Sequence, residues 1–260
     1  MQMLKLSDDD YFGLGGKTRD SIIVSASFLK DVLNRGLHKV LIEEWEQTDD
    51  LKKVLENGKQ FHSYILEPKE FNKLYYMGDF NPADDRVKVE NEEFLREAKK
   101  QIEMFYPELI KEDENHLSER VFLSKDGVPR KSKLDKIVIN VKNMQVDIYD
   151  LKSTFLKMGK IKRDRYGNPY ELKKDISEKH YDLQMAFYRD VVRDYLNSFE
   201  NGSNFTINTH LVYVSTDDYK ARLVTLSEET LGYGEEKMRS AMHEVEDYII
   251  NGYLNRSLVI

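Results

Sequence analysis

The 260-residue sequence predicts a mixed α/β fold, in which a central β-sheet is flanked by helices and follows a mainly helical N-terminal part. Two observations carry this prediction. Several long segments repeat apolar residues every three or four positions, as amphipathic helices do, whereas residues 134–151 alternate apolar and polar side chains, as strands do. In chain order, these patterns predict helices, three strands, a helix, two strands and a final helix.

Helical spacing appears first over residues 21–66. It is clearest over residues 91–108, where the apolar side chains follow one another on one helix face: Phe94, Ala98, Ile102 and Phe105. The same spacing returns over residues 175–195. Ser227 has the side chain of an N-cap for a last helix that extends to residue 250, because two glutamates follow it and suit a helix N-terminus.

Strand patterns occupy the second half of the chain. They cover residues 120–124, 134–141, 144–151, 205–215 and 220–226. Asp126–Gly127 predicts a turn after the first strand. Lys142–Asn143 predicts a tight turn between the second and third strands, which would therefore form a hairpin.

Composition limits the class of protein. Hydrophobic residues make up 40% and charged residues 33% of the chain, which is typical of an ordered globular protein. No linker-like tract interrupts it, so we expect one domain over residues 1–260, with a mainly helical part (1–110) and a sheet-containing core (118–250). Because the sequence has no cysteine, thiol catalysis, disulfides and Fe–S clusters are excluded.

The sequence also lacks the apolar segments that membrane proteins need. No apolar run approaches the ~20 residues that span a bilayer, and the first ten residues lack the apolar stretch of a signal peptide. We therefore expect a cytoplasmic protein with no membrane partner.

Charge is unevenly distributed. The formal net charge is -7, which disfavours nonspecific binding to nucleic acid by the protein as a whole. From Lys152 to Lys174, however, there are eight lysines or arginines and two acidic residues. Such a segment can contact a polyanion, or it can be a solvated loop, and charge alone leaves both interpretations open.

Three charged residues carry the clearest chemical signal. Side chains alternate faces along a strand, so Asp150 and Lys152 point to the same side of the sheet. Asp135 lies seven residues before Lys142 and Asp150 lies seven after Asn143, which makes the two aspartates cross-strand partners in the predicted hairpin. Two carboxylates and a lysine are therefore expected to meet near one end of the sheet.

The predicted carboxylate pair needs a positive partner, because two such close carboxylates repel each other. Mg²⁺ favours one or two carboxylates together with water and substrate phosphate. A neighbouring lysine can offset charge on that phosphate or help to activate water, so the arrangement predicts metal-dependent hydrolysis of phosphodiester bonds. Asp-x-Lys also occurs in ordinary salt-bridged sheet edges, and that alternative stays open on these residues alone.

The same residues resemble a known nuclease signature. Asp135 followed by Asp150-Leu151-Lys152 resembles the signature of the PD-(D/E)XK nuclease superfamily, although Leu134 stands where that signature has a proline. Residues 184–188, Gln-Met-Ala-Phe-Tyr, resemble the Gln-x-x-x-Tyr motif of the RecB-like branch of the superfamily.

Two upstream segments resemble the exonuclease VIII-like phage recombination nucleases. One is Gly58-Lys59-Gln60-Phe61-His62 with Leu66-Glu67-Pro68, and the other is residues 24–30, Val-Ser-Ala-Ser-Phe-Leu-Lys. The matching pieces follow one another in the order of that group, with a long insertion at residues 155–174. The resemblance implies the restriction-endonuclease-like core of this superfamily.

The resemblance also implies roles for individual residues. The metal ligands would be His62, Asp135, Asp150 and the carbonyl of Leu151, binding Mg²⁺, for which Mn²⁺ can substitute. The catalytic residues would be Asp135, Asp150, Lys152, Gln184 and the assisting acid Glu119, and Gln184 and Tyr188 would also contact the DNA. Independently of the resemblance, the positive charge of residues 152–174 predicts that Lys160, Lys162 and Arg163 contact the DNA backbone. Without the resemblance, His62 would be interpreted as a packed or surface residue.

The implied activity is that of a metal-dependent exodeoxyribonuclease that digests duplex DNA ends from 5′ to 3′ in phage or bacterial recombination or repair. The resemblance adds a single-strand annealing protein as a partner and a homo-oligomeric ring as an assembly. Two alternatives remain, namely an endonuclease of the same fold and an inactive protein that only binds DNA or a partner. The intact set of Asp135, Asp150 and Lys152 argues against the inactive protein.

Overall fold

The computed structural model describes residues 1–251, apart from residues 17, 19, 44–47, 82, 125–126, 164 and 166–168. Asp126 of the predicted turn lies outside the described residues. In the described part of the chain, no helix combines the length and the apolar character that a membrane crossing requires.

A mixed six-stranded sheet forms the centre of the described part. Its strands, in spatial order, are β1 (Gln2–Leu4), β4 (His116–Ser124), β5 (Arg130–Asn140), β6 (Gln145–Thr154), β7 (Thr206–Ser215) and β8 (Ala221–Thr225). Neighbouring strands are antiparallel except β6 and β7, which are parallel. A separate parallel pair consists of β2 (Tyr75–Tyr76) and β3 (Val87–Lys88).

Helices cover both faces of this sheet. They are α1 (Asp8–Phe12), α2 (Ala26–Arg35), α3 (Leu37–Ile42), α4 (Asp49–Leu66), α5 (Pro68–Leu74), α6 (Glu92–Phe105), α7 (Tyr170–Glu178), α8 (Tyr181–Leu196) and α9 (Glu228–Asn251). Apolar residues of α2, α3, α7, α8 and α9 share one buried cluster with the sheet, and those of α4, α5 and α6 share a second. The predicted mixed α/β fold with a helix-flanked central sheet is therefore confirmed.

The central hairpin has the register that the sequence predicts. Lys136 pairs with Tyr149 and Asn140 pairs with Gln145, so the next position along the ladder sets Asp135 opposite Asp150. The connecting turn is longer than predicted, because the strands end at Asn140 and Gln145 and leave four residues between them. Each strand is one residue shorter at the turn than predicted, so the register between the two strands is preserved.

The predicted helix over residues 175–195 is wrong in one respect, because the structure divides it into α7 and α8. His180 lies between them with φ of 51°, and a left-handed residue of this kind ends an α-helix. The apolar spacing continues across the break, which explains why the sequence pattern did not indicate it. The predicted N-cap of α9 is confirmed, since Ser227 Oγ accepts a hydrogen bond from the Thr230 N–H at 3.2 Å.

Candidate active site

The candidate site lies where α4 meets strands β4, β5 and β6. His62 of α4, Glu119 of β4 and Asp135 of β5 each place one ligand atom within 4.8 Å of the other two. Both carboxylates are buried, with Glu119 6% and Asp135 8% exposed. Two buried carboxylates and an imidazole this close together have the chemistry of a site for a divalent cation.

Glu119 reaches this position through an unusual backbone conformation. Its φ is 52°, in the left-handed region that costs a non-glycine residue about 1–3 kcal/mol. The paired residues of β4 and β5 on either side of it keep their register, from Ser118 with Lys136 to Arg120 with Leu134. Its carboxylate forms an ion pair with Lys133 Nζ at 2.6 Å, which offsets part of the cost of burying the charge.

His62 connects helix α4 to the hairpin. Its Nδ1 lies 3.4 Å from Asp135 Oδ1, and its Nε2 lies 3.1 Å from the carbonyl oxygen of Leu151. The Leu151 N–H donates to Asp135 Oδ2 at 2.7 Å, which holds the carboxylate in place. Since both imidazole nitrogens face oxygen acceptors, this geometry suits a protonated imidazole, and a bound cation would replace that proton.

Asp150 occupies the centre of a second group of contacts and is 1% exposed. Its Oδ1 accepts a hydrogen bond from Gln184 Nε2 at 2.8 Å. Its Oδ2 forms an ion pair with Lys152 Nζ at 2.5 Å but, among the described residues, has no hydrogen-bond donor in suitable geometry. This buried oxygen has lone pairs that no hydrogen bond from a described residue uses, so Asp150 is a further candidate ligand for a cation.

Helix α8 supplies the polar side chains that surround Asp150. Gln184 Nε2 also donates to the hydroxyl of Tyr188, one turn along the helix, at 2.8 Å. Gln184 Oε1 accepts a hydrogen bond from Lys30 Nζ of α2 at 2.6 Å. A cavity of about 80 Å³ lies beside these three residues and Ser25.

The imidazole and its carboxylate partner shift each other's pKa. Burial opposes a charged imidazole, but the Asp135 and Glu119 carboxylates outweigh it and raise the pKa of His62 to about 9. Burial alone would raise the pKa of Asp135, yet the charges of His62 and Lys152 and the Leu151 N–H hold it below its ordinary value. Without a metal ion, these two groups therefore form an ion pair at neutral pH.

The pKa values of Glu119 and Asp150 are raised, in contrast to that of Asp135. Burial, and then the charge of Asp135, raise the pKa of Glu119 to about 7. Burial also raises the pKa of Asp150, against the attraction of Lys152. Burial would lower the pKa of Lys152, but the Asp150 carboxylate raises it above its usual range, so this lysine carries a positive charge. A divalent cation would relieve the accumulation of carboxylate charge in this cluster.

Most of the predicted site residues lie in this one cluster: His62, Glu119, Asp135, Asp150, Leu151, Lys152, Gln184 and Tyr188. Their placement supports the predicted roles, which stay predictions. Sequence reasoning placed Glu119 beside the metal ligands, whereas the structure places it in the three-residue group that could hold a cation.

The predicted DNA-binding segment is placed differently. Lys162 is exposed, and its Nζ pairs with Glu171 at 3.6 Å while its N–H donates to the same carboxylate. No hydrogen bond or ion pair of Lys160 or Lys162 with a described residue reaches the carboxylate cluster. Arg163 is also exposed. Lys160 and Lys162 therefore have no described contact with the candidate site, and the DNA-binding role of the three residues stays a prediction.

Sequence reasoning missed three residues at the site. Lys30 contacts Gln184, Lys133 pairs with Glu119, and the ring of Tyr181 lies under Lys152 Nζ at 4.7 Å. Lys30 does belong to the segment over residues 24–30 that resembles the phage nucleases, so a signal was present. Lys133 lies two residues before Asp135 and therefore on the same strand face, which is a second usable signal.

Comparison with known proteins supports the fold. No protein-family model matches the sequence, and no curated protein matches it. A crystal structure of a protein from Eubacterium rectale, described provisionally as an exonuclease, superposes with a TM-score of 0.61 at 16% sequence identity. The match covers 96% of this chain and 88% of that chain, so the two proteins share a fold.

A second solved structure, that of SSO0001, has 13% sequence identity over 84% of this chain and 75% of that chain. Its TM-score of 0.32 is too low to show a shared fold.

Proposed function

We propose that this chain is a metal-dependent deoxyribonuclease that hydrolyses phosphodiester bonds at the ends of duplex DNA. The observation that carries the proposal is the group of His62, Glu119 and Asp135. The buried Asp150 carboxylate, which pairs with Lys152, lies beside this group. Lys152 completes the set with a positive charge beside the carboxylates. The shared fold of the Eubacterium rectale protein, described provisionally as an exonuclease, agrees with this proposal.

The donor set fits Mg²⁺ or Mn²⁺. His62, Glu119, Asp135 and Asp150 would hold the ion, since carboxylate oxygens suit both cations and imidazole suits Mn²⁺. When bound, such an ion supplies Lewis-acid activation of a phosphoryl oxygen and of water. The Leu151 carbonyl oxygen lies 3.1 Å from His62 Nε2 and has a second lone pair, so it would be a further ligand.

The chain's own residues would act around the substrate phosphate. In the metal-free site Asp150 raises the pKa of Lys152, so its ammonium is charged and would offset negative charge on the substrate phosphate. Gln184 donates to Asp150 Oδ1 and would thereby fix the orientation of this carboxylate. Tyr188 accepts from Gln184 and keeps its own hydroxyl hydrogen for a substrate oxygen.

The direction of digestion, the biological role, the partner and the assembly are proposed from the sequence resemblance. The sequence resemblance favours digestion from 5′ to 3′, a role in phage or bacterial recombination or repair, a single-strand annealing protein as partner and a ring-shaped homo-oligomer. Its motifs are those of exonucleases, and the provisional description of the Eubacterium rectale protein agrees with end-directed digestion.

A digestion assay tests this proposal. A linear duplex labelled at the 5′ or the 3′ end and a covalently closed duplex of the same sequence are each incubated with the protein in Mg²⁺, Mn²⁺ or EDTA. We expect metal-dependent release of the 5′ label from the linear duplex and an intact circle. Nicking of the circle would identify an endonuclease, and binding without hydrolysis in any metal would identify an inactive DNA-binding protein.

A further inference from the structure

Lys30 contacts Gln184 of the candidate site but, among the described residues, has no hydrogen bond with the carboxylates themselves. It lies on α2, 154 residues before its partner Gln184 on α8, and its Nζ donates to Gln184 Oε1 at 2.6 Å. Both residues are at least half-buried. A short contact between residues so distant in the chain is a feature of the tertiary fold rather than of local structure.

The contact selects one of two orientations of the Gln184 amide. An amide has an oxygen acceptor at one end and a nitrogen donor at the other, and a half-turn exchanges them. In its protonated form Lys30 has donors only, so it pairs with Oε1 and leaves Nε2 to face Asp150 and Tyr188. The reversed amide would set its oxygen against the buried Asp150 carboxylate, which electrostatic repulsion disfavours.

Lys30 is itself held in place. Its Nζ lies over the ring of Tyr181 at 4.8 Å, and Lys152 Nζ lies over the same ring at 4.7 Å. Helix α2 is capped by Ser25, whose Oγ accepts the Phe28 N–H at 3.2 Å, so the helix turn that carries Lys30 is anchored. The lysine therefore has the rigidity that a positioning role requires.

We propose that Lys30 is a positioning residue that fixes the orientation of the Gln184 amide and, through it, the Asp150 carboxylate. The catalytic part of this inference rests on the proposed nuclease function. Lys30 acts through Gln184 and not on the DNA, so its removal is expected to lower the rate of hydrolysis while leaving DNA affinity unchanged. The loss is expected to be about 10-fold to 100-fold, as for other residues that orient a ligand of a metal site.

A double-mutant cycle on hydrolysis tests the catalytic part. The variants are Lys30→Met, Gln184→Ala and the double variant, with single-turnover cleavage rate and duplex Kd measured for each. Lys30→Met should slow cleavage in the parent but change it less than about twofold when Gln184 is already alanine. Lys30→Arg should recover most of the rate, since it restores a donor-only side chain. A loss of equal size in both backgrounds, or a weakened Kd, would show direct DNA contact and overturn the inference.

Lys179→Met is the matched control. Lys179 Nζ also lies over the Tyr181 ring, at 5.9 Å, but pairs with Asp175 at 2.7 Å and not with Gln184. The Lys179→Met substitution should leave the cleavage rate unchanged. If it matches Lys30→Met, the effect belongs to the charge around Tyr181 and the positioning role is wrong.

The parent, the two single variants of the cycle and the double variant also distinguish a failure of this inference from a failure of the proposed function. If the parent does not hydrolyse DNA under any metal condition, the proposed function fails together with the catalytic part of the inference. The orientation of the amide is then tested by urea unfolding. Non-additive shifts in the midpoint support the Lys30–Gln184 coupling, and additive shifts overturn it whatever the nuclease result.

Discussion

His62 and its carboxylate neighbours determine how the metal-free site responds to pH. Asp135 and Glu119 raise the pKa of His62 to about 9, against the effect of burial, from an unfolded value of about 6.5. A raised pKa means that the folded state binds the proton more tightly. The stabilisation is complete below the unfolded pKa and disappears as pH rises through the folded pKa.

This predicts a pH-dependent difference between the parent and His62→Gln in EDTA. The parent should be more stable than the variant near pH 6 by at most about 3 kcal/mol, and the difference should shrink toward pH 9.5. Urea unfolding at several pH values measures it. Comparing the two proteins removes the opposite trend from Lys30, whose pKa burial lowers to about 7. A difference that is constant with pH would show that His62 is uncharged in the folded protein.

Lys152 is expected to contribute to chemistry more than to affinity. Its ammonium contacts Asp150 and stays charged, so Lys152→Ala removes positive charge next to the substrate phosphate. Single-turnover cleavage should fall by about 100-fold or more, while duplex Kd changes little. If duplex Kd instead rises strongly while the cleavage rate of the bound complex is unchanged, Lys152 only binds the phosphate.

At the scale of elements, the β5–β6 hairpin was the part of the site that the sequence could predict. Alternation along two strands and a turn between them determine which residues face each other, and Asp135 and Asp150 follow from that geometry. Helix α4 is different, because no local pattern says that His62 packs against the end of this hairpin. Its placement, like that of Gln184, followed from resemblance and not from periodicity.

Glu119 and Lys30 mark the limit of sequence reasoning. The left-handed φ of Glu119 is stabilised by tertiary contacts, among them the ion pair with Lys133, and no propensity predicts it. Lys30 meets Gln184 only because α2 and α8 pack on the same sheet face. The element types could be predicted from their patterns, but long-range contacts between elements could not.

The close approach of α9 to α8 provides a test of packing under the site. A Cβ at Gly234 would overlap the backbone carbonyl of Asp182, in the first turn of the helix that carries Gln184. Gly234→Ala should destabilise the protein by about 1–3 kcal/mol and also slow cleavage, because α8 must shift. Urea unfolding and the cleavage assay measure the two effects.

Gly232→Ala is the control on the same helix. Nothing lies within 4 Å of a Cβ at this position, so alanine should be neutral or stabilise by up to about 1 kcal/mol. Equal destabilisation by both substitutions would mean that α9 does not contact α8 as described.

At the scale of the whole molecule, the net charge of -7 opposes DNA binding, so local positive charge must carry it. The predicted segment with Lys160, Lys162 and Arg163 lies outside the carboxylate cluster, and Lys162 is paired with Glu171. If the segment contacts the DNA backbone, log K falls linearly with log salt concentration, at about -0.9 per phosphate neutralised.

Replacing these three residues with glutamine should make that salt dependence shallower. The matched control replaces Lys52, Lys73 and Lys100, each of which pairs with an acidic residue one turn away on α4, α5 or α6. Fluorescence anisotropy with a short duplex, in EDTA to prevent hydrolysis, gives the slope for each protein. Identical slopes for the two triple variants would place the DNA on another surface.

Asp135→Asn tests whether the cluster around Asp135 hydrolyses DNA with a bound metal ion. The substitution keeps an oxygen that can accept the Leu151 N–H but removes the charge that pairs with His62. The measurement is the single-turnover hydrolysis rate of an end-labelled linear duplex in Mg²⁺ and in EDTA, with circular dichroism to confirm folding. We predict rapid hydrolysis by the parent in Mg²⁺, none in EDTA, and a loss of about 100-fold or more in the variant. A folded Asp135→Asn protein that cleaves at the parental rate, or a parent that cleaves equally well in EDTA, would show that this cluster does not hydrolyse DNA with a metal ion.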